Sequence, residues 1–136
     1  MARSFLRRDA AVMREAERLH GDGAWNLVVR RCQEAVELAL KGVLRAAGIE
    51  IPKVHDVSGA LRRNANRLPP AVAAEIDTLV SASRRLREER ELALYGDEES
   101  DTEAEALFSQ QDAEEALRTA RHALDICTRS IPPAPA

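Results

Sequence analysis

Apolar residues recur along this chain at spacings of three and four, the period of one face of an α-helix. Phe5, Leu6, Val12, Met13, Ala16 and Leu19 form the first stripe, over about residues 3 to 20, and Asp9 is its one interruption. The turn "HGDG" follows, where Gly21 and Gly23 flank Asp22, an expected cap for the next helix. Over about residues 24 to 47, Val28, Cys32, Val36, Leu40 and Val43 share a face, widened by Val29, Ala35, Ala39, Leu44 and Ala47. A face that broad needs neighbours on several sides, so this helix is expected at the centre of the fold. Gly42 within it gives up about 1 kcal/mol of helix propensity relative to Ala and suits a place where another helix comes close.

The run ends at Gly48, the expected left-handed residue beyond a helix C-terminus, and Pro52 blocks continuation. A short third helix is expected from the N-cap Asp56 to about Arg67, where "RLPPA" breaks it. Pro70 suits the first turn of a fourth helix, over about residues 70 to 94. There Val72, Ile76, Leu79, Ser83, Leu86 and Arg90 repeat at helical spacing, which puts Arg90 on the core-facing stripe. "GDEESDTEAEAL" reads as an acidic, solvated loop. Ser109 with Asp112 marks the start of a last helix, reaching about Thr128, with Ala113, Leu117, Ala120, Leu124 and Cys127 inward. "SIPPAPA" reads as a frayed end, so one domain is expected over residues 1–130 with a flexible tail over 131–136. No stretch alternates with period two. The pattern predicts an all-α fold: an antiparallel, up-and-down helical bundle of four long helices plus one short helix.

Composition supports this picture. The 136 residues suit one domain, and only one Trp, one Tyr and two Phe occur among abundant Ala, Leu, Arg and Glu, a mixture that favours helix over strand. The net charge of -3 argues against a whole-molecule attraction to nucleic acid and leaves room for a local basic patch. No run approaches the ~18 apolar residues of a membrane span. "MARSFLRRDA" is basic but lacks the apolar core of a secretory signal, so a cytoplasmic location is expected. Cys32 and Cys127 lie on apolar faces and read as core thiols rather than a disulfide.

The candidate chemistry concentrates in "RRLREERELALY", residues 84–95. Arg84–Glu88, Arg85–Glu89 and Arg87–Glu91 are i,i+4 pairs that suit a solvated, self-paired face. Arg90 has Leu four residues away in both directions. Its guanidinium therefore needs a carboxylate from elsewhere in the fold, a subunit or a bound anion. Tyr95, about one turn on, either closes the bundle end or contacts a nucleotide or partner. Trp25 is expected to pack against the first helix or a partner copy, and at least one of Gln33 and Glu34 to lie near the edge of the central helix face, with Lys41 solvated. His55 reads as shaping the corner before Asp56, and with no second His or Cys near it no metal site is expected. No Gly-rich phosphate loop or nucleophile triad appears, so no cofactor is expected and no residue is assigned a catalytic role.

The stretch "LHGDGAWNLVVRRCQEAVELALKGVLRAAGIEIPKVHDVSGAL" resembles the HEPN domain family. The likeness rests on Trp25 after a Gly-containing turn, then the helix "RRCQEAVELALKGVL", then "IPKVHDV". "LYGDEE" and "LFSQQDAEEALRTARHALDI" resemble the family's later loop and final helix, so the likeness covers nearly the whole chain. The resemblance implies a small helical bundle that forms homodimers and acts with a minimal nucleotidyltransferase partner as a toxin–antitoxin pair. Catalytic members of the family are metal-independent ribonucleases with an Arg-x4-6-His motif, in which Arg holds phosphate and His moves protons. This chain departs from that motif. At the family position Arg90 is followed by four residues and then Tyr95, and Arg118 stands only three intervening residues before His122. A phenol, with a reference pKa near 10, is a poor proton acceptor at neutral pH. The resemblance thus implies a non-catalytic HEPN-like component binding nucleotide, RNA or its partner protein, with Arg87, Arg90 and Tyr95 as the candidate contacts. Two alternatives stand beside it: an active ribonuclease using a variant Arg90/Tyr95 site, and a structural adaptor without a ligand.

Overall fold

The long apolar stripes become helices. The computed structural model describes residues 2–51 and 57–131, and the chain runs α1 (Ala2–Gly21), α2 (Trp25–Ala46), α3 (Val57–Arg63), α4 (Pro70–Ala74), α5 (Ile76–Tyr95), α6 (Ala104–Leu107) and α7 (Gln110–Ser130). No strand occurs among the described residues, only an isolated antiparallel bridge between Asp97 and Thr102. His55 and Asp56, expected to shape and cap the start of α3, lie outside the described residues.

The central position of α2 follows from its wide apolar face: it packs against α1, α5 and α7. Val28, Val29, Cys32, Val36, Leu40, Val43 and Leu44 are all buried there. The inner face of α7 is built largely of small residues, Ala113, Ala116, Ala120 and Ala123, which lets its backbone lie close to α2. A Cβ on Gly42 would come within 3.2 Å of the Phe5 Cβ, so this glycine marks the close crossing of α1 over α2. Cross-helix contacts fix the directions. Glu17 meets Arg121 at 3.1 Å and His20 lies 3.5 Å from Glu114, so α1 and α7 are antiparallel. The Asn26 Nδ2 donates to the Ala93 carbonyl at 3.0 Å across the antiparallel α2–α5 pair. The architecture is the expected all-α, up-and-down bundle of four long helices, with α3, α4 and α6 at its corners.

Several local expectations are corrected. Asp22 does not cap α2: Ala24 holds that position with no side-chain cap, and Asp22 instead spends its amide on the Arg18 and Leu19 carbonyls at the end of α1. The third helix ends at Arg63, because the Asn64 side chain bonds the Ala60 carbonyl at 2.8 Å, and a 3-10 turn over Ala65–Arg67 follows. The single helix expected over residues 70–94 is two helices, broken at Glu75 (φ -110°, ψ 17°). The acidic loop is more ordered than its charge suggests. Asp97 and Thr102 exchange backbone bonds of 2.8 and 2.9 Å, and α6 follows at once. Gly96 makes this possible at φ +75°, where a Cβ would strike the Thr102 carbonyl and the Ala104 amide. Ser109 and Asp112 form a full capping box at the start of α7.

Both cysteines are free and buried, and burial pushes each thiol up to about 12. Asp9 is wholly buried in the α1 stripe, and neither carboxylate oxygen has a hydrogen-bond partner. Burial pushes its carboxyl up to about 7. Ile131 is also buried, near Gly42.

Candidate functional site

A groove of about 320 Å³ runs between α2 and α5, lined by Gln33, Glu37, Val57, Ser83, Arg87 and Arg90. Spacing explains the arrangement. Gln33 and Glu37 stand one turn apart on α2, Ser83, Arg87 and Arg90 follow at four and three residues on α5, and Val57 closes one end from α3. A polar chain runs along the α2 side. Arg30 donates to Gln33 at 3.3 Å, the Gln33 amide donates to one Glu37 oxygen at 3.0 Å, and the Lys41 ammonium meets the other at 3.0 Å. Burial opposes the charge on Glu37. The Lys41 bond and charge, the Gln33 amide and the nearby Arg90 charge outweigh it and hold the carboxyl below its ordinary value. Glu37 is therefore an ionised acceptor whose two oxygens are already engaged. Lys41 is corrected from a solvated residue to a half-buried ion-pair partner.

That engagement leaves the α5 side cationic. Arg87 and Arg90 are exposed, and neither has a carboxylate within ion-pair distance among the described residues. Arg90 lies 11 residues, about three helical turns, beyond Leu79, so its backbone does face the bundle. Its long stem carries the guanidinium out into the open groove, so the charge is not buried as the stripe suggested. The expected Arg84–Glu88, Arg85–Glu89 and Arg87–Glu91 pairs do not close to ion-pair distance. Arg85 turns across to α7 and donates to the Thr119 hydroxyl.

The structure brings Arg87 and Arg90 into one groove and leaves Tyr95 outside it. Tyr95 is the last residue of α5, 75% exposed, and neither closes the bundle end nor lines the groove. Trp25 is half-buried and packs edge-on to His20 of α1, ring centroids 5.2 Å apart. Of the pair expected near the face edge, Gln33 is buried and Glu34 half-buried. A second hollow, about 420 Å³, opens between α5 and α7 and gathers Asp77, Ser81, Arg85, Thr119 and His122. Sequence spacing shows His122 only beside Arg118 on its own helix. That it faces Arg85 depends on how two helices are rotated against each other, which no spacing within one helix records.

Among the described residues no cluster of three or more His, Cys, Asp or Glu could hold a metal ion, and no helix is long and apolar enough to cross a membrane. No curated protein and no solved structure matches the chain. The family model of the HEPN domain matches residues 2–130, a span that takes in every helix of the bundle and both sides of the α2–α5 groove. The chain belongs to the HEPN domain family, a nucleotide- or RNA-binding and ribonuclease-type family.

Proposed function

We propose that this HEPN protein binds the phosphates of RNA or a nucleotide through Arg87 and Arg90 in the α2–α5 groove and does not cleave its ligand. It acts as a homodimeric component of a two-gene system with a minimal nucleotidyltransferase partner. The observation that carries the binding reading is a pair of guanidinium groups with no carboxylate at ion-pair distance among the described residues. Gln33 and Lys41 occupy the carboxylate opposite, so Arg87 and Arg90 keep their donors for an incoming anion. A guanidinium offers parallel N–H donors that match phosphate oxygens. Cleavage would also need a group that gives and takes a proton. Among the described residues no His lines the groove, and Glu37 is held in its ionised form.

Purified protein with labelled RNA in metal-free buffer tests this directly, with wild type beside Arg87→Gln and Arg90→Gln. Each substitution should weaken RNA retention by roughly tenfold, the scale of a charge-assisted hydrogen bond, and reduce the salt dependence of binding. RNA cut by wild type and left intact by Arg90→Gln would overturn the non-catalytic reading and make Tyr95 the next residue to change. Retention indifferent to both arginines would assign the groove to a protein partner.

A further inference from the structure

The α5–α7 hollow is a separate concavity, on the other side of α5 from the groove. Its floor is apolar and buried: Leu79, Ala82 and Ala123. Its polar groups are sorted by position. At one end the Arg85 guanidinium donates to the Thr119 hydroxyl, a bond that holds the cation over the hollow while using one of its five donors. His122 stands one turn along α7 from Thr119, and Ser81 one turn back along α5 from Arg85. At the far end is Asp77, one of whose oxygens is taken by Arg62 at 2.9 Å. Eight residues separate Asp77 from Arg85, a rise of about 12 Å.

A site with a cation at one end, an apolar floor and a half-free carboxylate at the other selects a particular shape of molecule. Its head is an oxyanion able to accept from several donors at once. Its body is flat enough to lie on small side chains, and its tail donates hydrogen bonds. The volume of about 420 Å³ is too roomy for a lone inorganic anion and falls at the lower end of small-molecule sites, roughly 300–1,000 Å³. We propose that the α5–α7 hollow is a second ligand site that takes a small phosphate monoester with a flat, hydrogen-bond-donating body. The phosphate lies against Arg85, Thr119 and His122, and the body runs along Leu79 and Ala123 toward Asp77. The acidic residues Glu89, Asp112 and Glu115 line a neighbouring depression on the other side of Arg85, so the ligand meets a guanidinium whose field is partly offset.

AMP is a suitable probe because it carries all three features. Isothermal titration with AMP, adenosine and inorganic phosphate would be run on wild type, Arg85→Gln, His122→Gln and Arg90→Gln. Wild type should bind AMP, with adenosine and phosphate each at least about tenfold weaker. Arg85→Gln should weaken AMP binding in the α5–α7 hollow at least about tenfold and His122→Gln by less, while Arg90→Gln removes only what binds in the α2–α5 groove and leaves the Arg85-dependent binding in place. Arg85 and His122 are both exposed, and unchanged thermal melts would confirm that the variants fold. AMP binding lost in Arg90→Gln but kept in Arg85→Gln would move the nucleotide to the α2–α5 groove and overturn this second site while leaving the groove reading intact. Equal binding in all four proteins, or no binding of AMP by wild type, would also overturn it.

Discussion

Two carboxylates in this bundle meet opposite fates. Asp9 lies in the apolar stripe of α1, within electrostatic reach of Cys127 on α7, with neither oxygen hydrogen-bonded and its carboxyl pushed up to about 7. Glu37 lies in the α2–α5 groove with an amide on one oxygen and an ammonium on the other, and its carboxyl is held below the ordinary value. Asp9 is wholly buried and Glu37 half-buried, and burial raises the pKa of both, so burial alone does not set their state. What differs is the donors within reach. Arg90 completes the contrast. Like Asp9 it falls on a core-facing stripe, but an arginine stem reaches solvent where an aspartate stem cannot.

The contrast is most exposed at Asp9. Its folded pKa of about 7 stands above the ordinary aspartate value of 3.8. Between those values the unfolded chain releases the proton while the folded chain keeps it. The stability associated with Asp9 is thus fully present below the unfolded pKa and is lost as pH rises toward 7, at about 1.4 kcal/mol per pH unit. Asp9→Asn removes the ionisation and leaves an unsatisfied amide costing on the order of 1–3 kcal/mol. It should therefore flatten the fall in stability across this window and leave a net gain of about 2 kcal/mol at pH 8. Denaturant melts between pH 4 and pH 8 measure this, and an unchanged slope would mean that Asp9 has a partner.

Glu37 should show the reverse sign and a smaller effect. Its depressed pKa contributes stability present above the unfolded value and lost as pH falls through the folded one. Lys41→Met, which removes the ammonium, should cost about 1 kcal/mol near neutrality and much less in acid, the half-open setting limiting the effect. Urea midpoints at the two pH values compare these. The smallest change is expected at Arg90, whose guanidinium is exposed and has no ion-pair partner among the described residues. Arg90→Gln should alter stability by less than about 0.5 kcal/mol, so a substitution that weakens RNA retention about tenfold should barely move the melting curve.

Much of this architecture is legible in the chain because a helix writes its buried face as a repeat. The stripes of α1, α2 and α7, the Ser109–Asp112 cap and the close crossing at Gly42 are all local facts. The break at Glu75 is harder to see, because Pro70 suits a helix start and nothing in "AVAAEID" forbids continuation. The order of the acidic loop is hidden for a different reason. Gly96, Asp97 and Thr102 cooperate through backbone bonds that no side-chain pattern announces. The site divides in the same way. Arg87 and Arg90 are readable as neighbours on one helix, whereas Gln33 and Glu37 opposite them, and His122 opposite Arg85, depend on rotation and offset between helices.

The three-residue link between α1 and α2 also sets an order of events. Closing so short a connection costs little chain entropy, and the α1–α2 contacts are near in sequence, so this hairpin is the natural early structure in folding. α7 must find α2 across more than sixty residues, a far slower search. Asp9 lies within electrostatic reach of Cys127 of α7, so the docking of that helix completes the surroundings of its carboxylate. Acidity then acts late on the pathway. At higher pH the penalty falls on the docked state rather than on the hairpin, and it is the lifetime of the finished bundle, more than the speed of its assembly, that protonation of one buried residue controls.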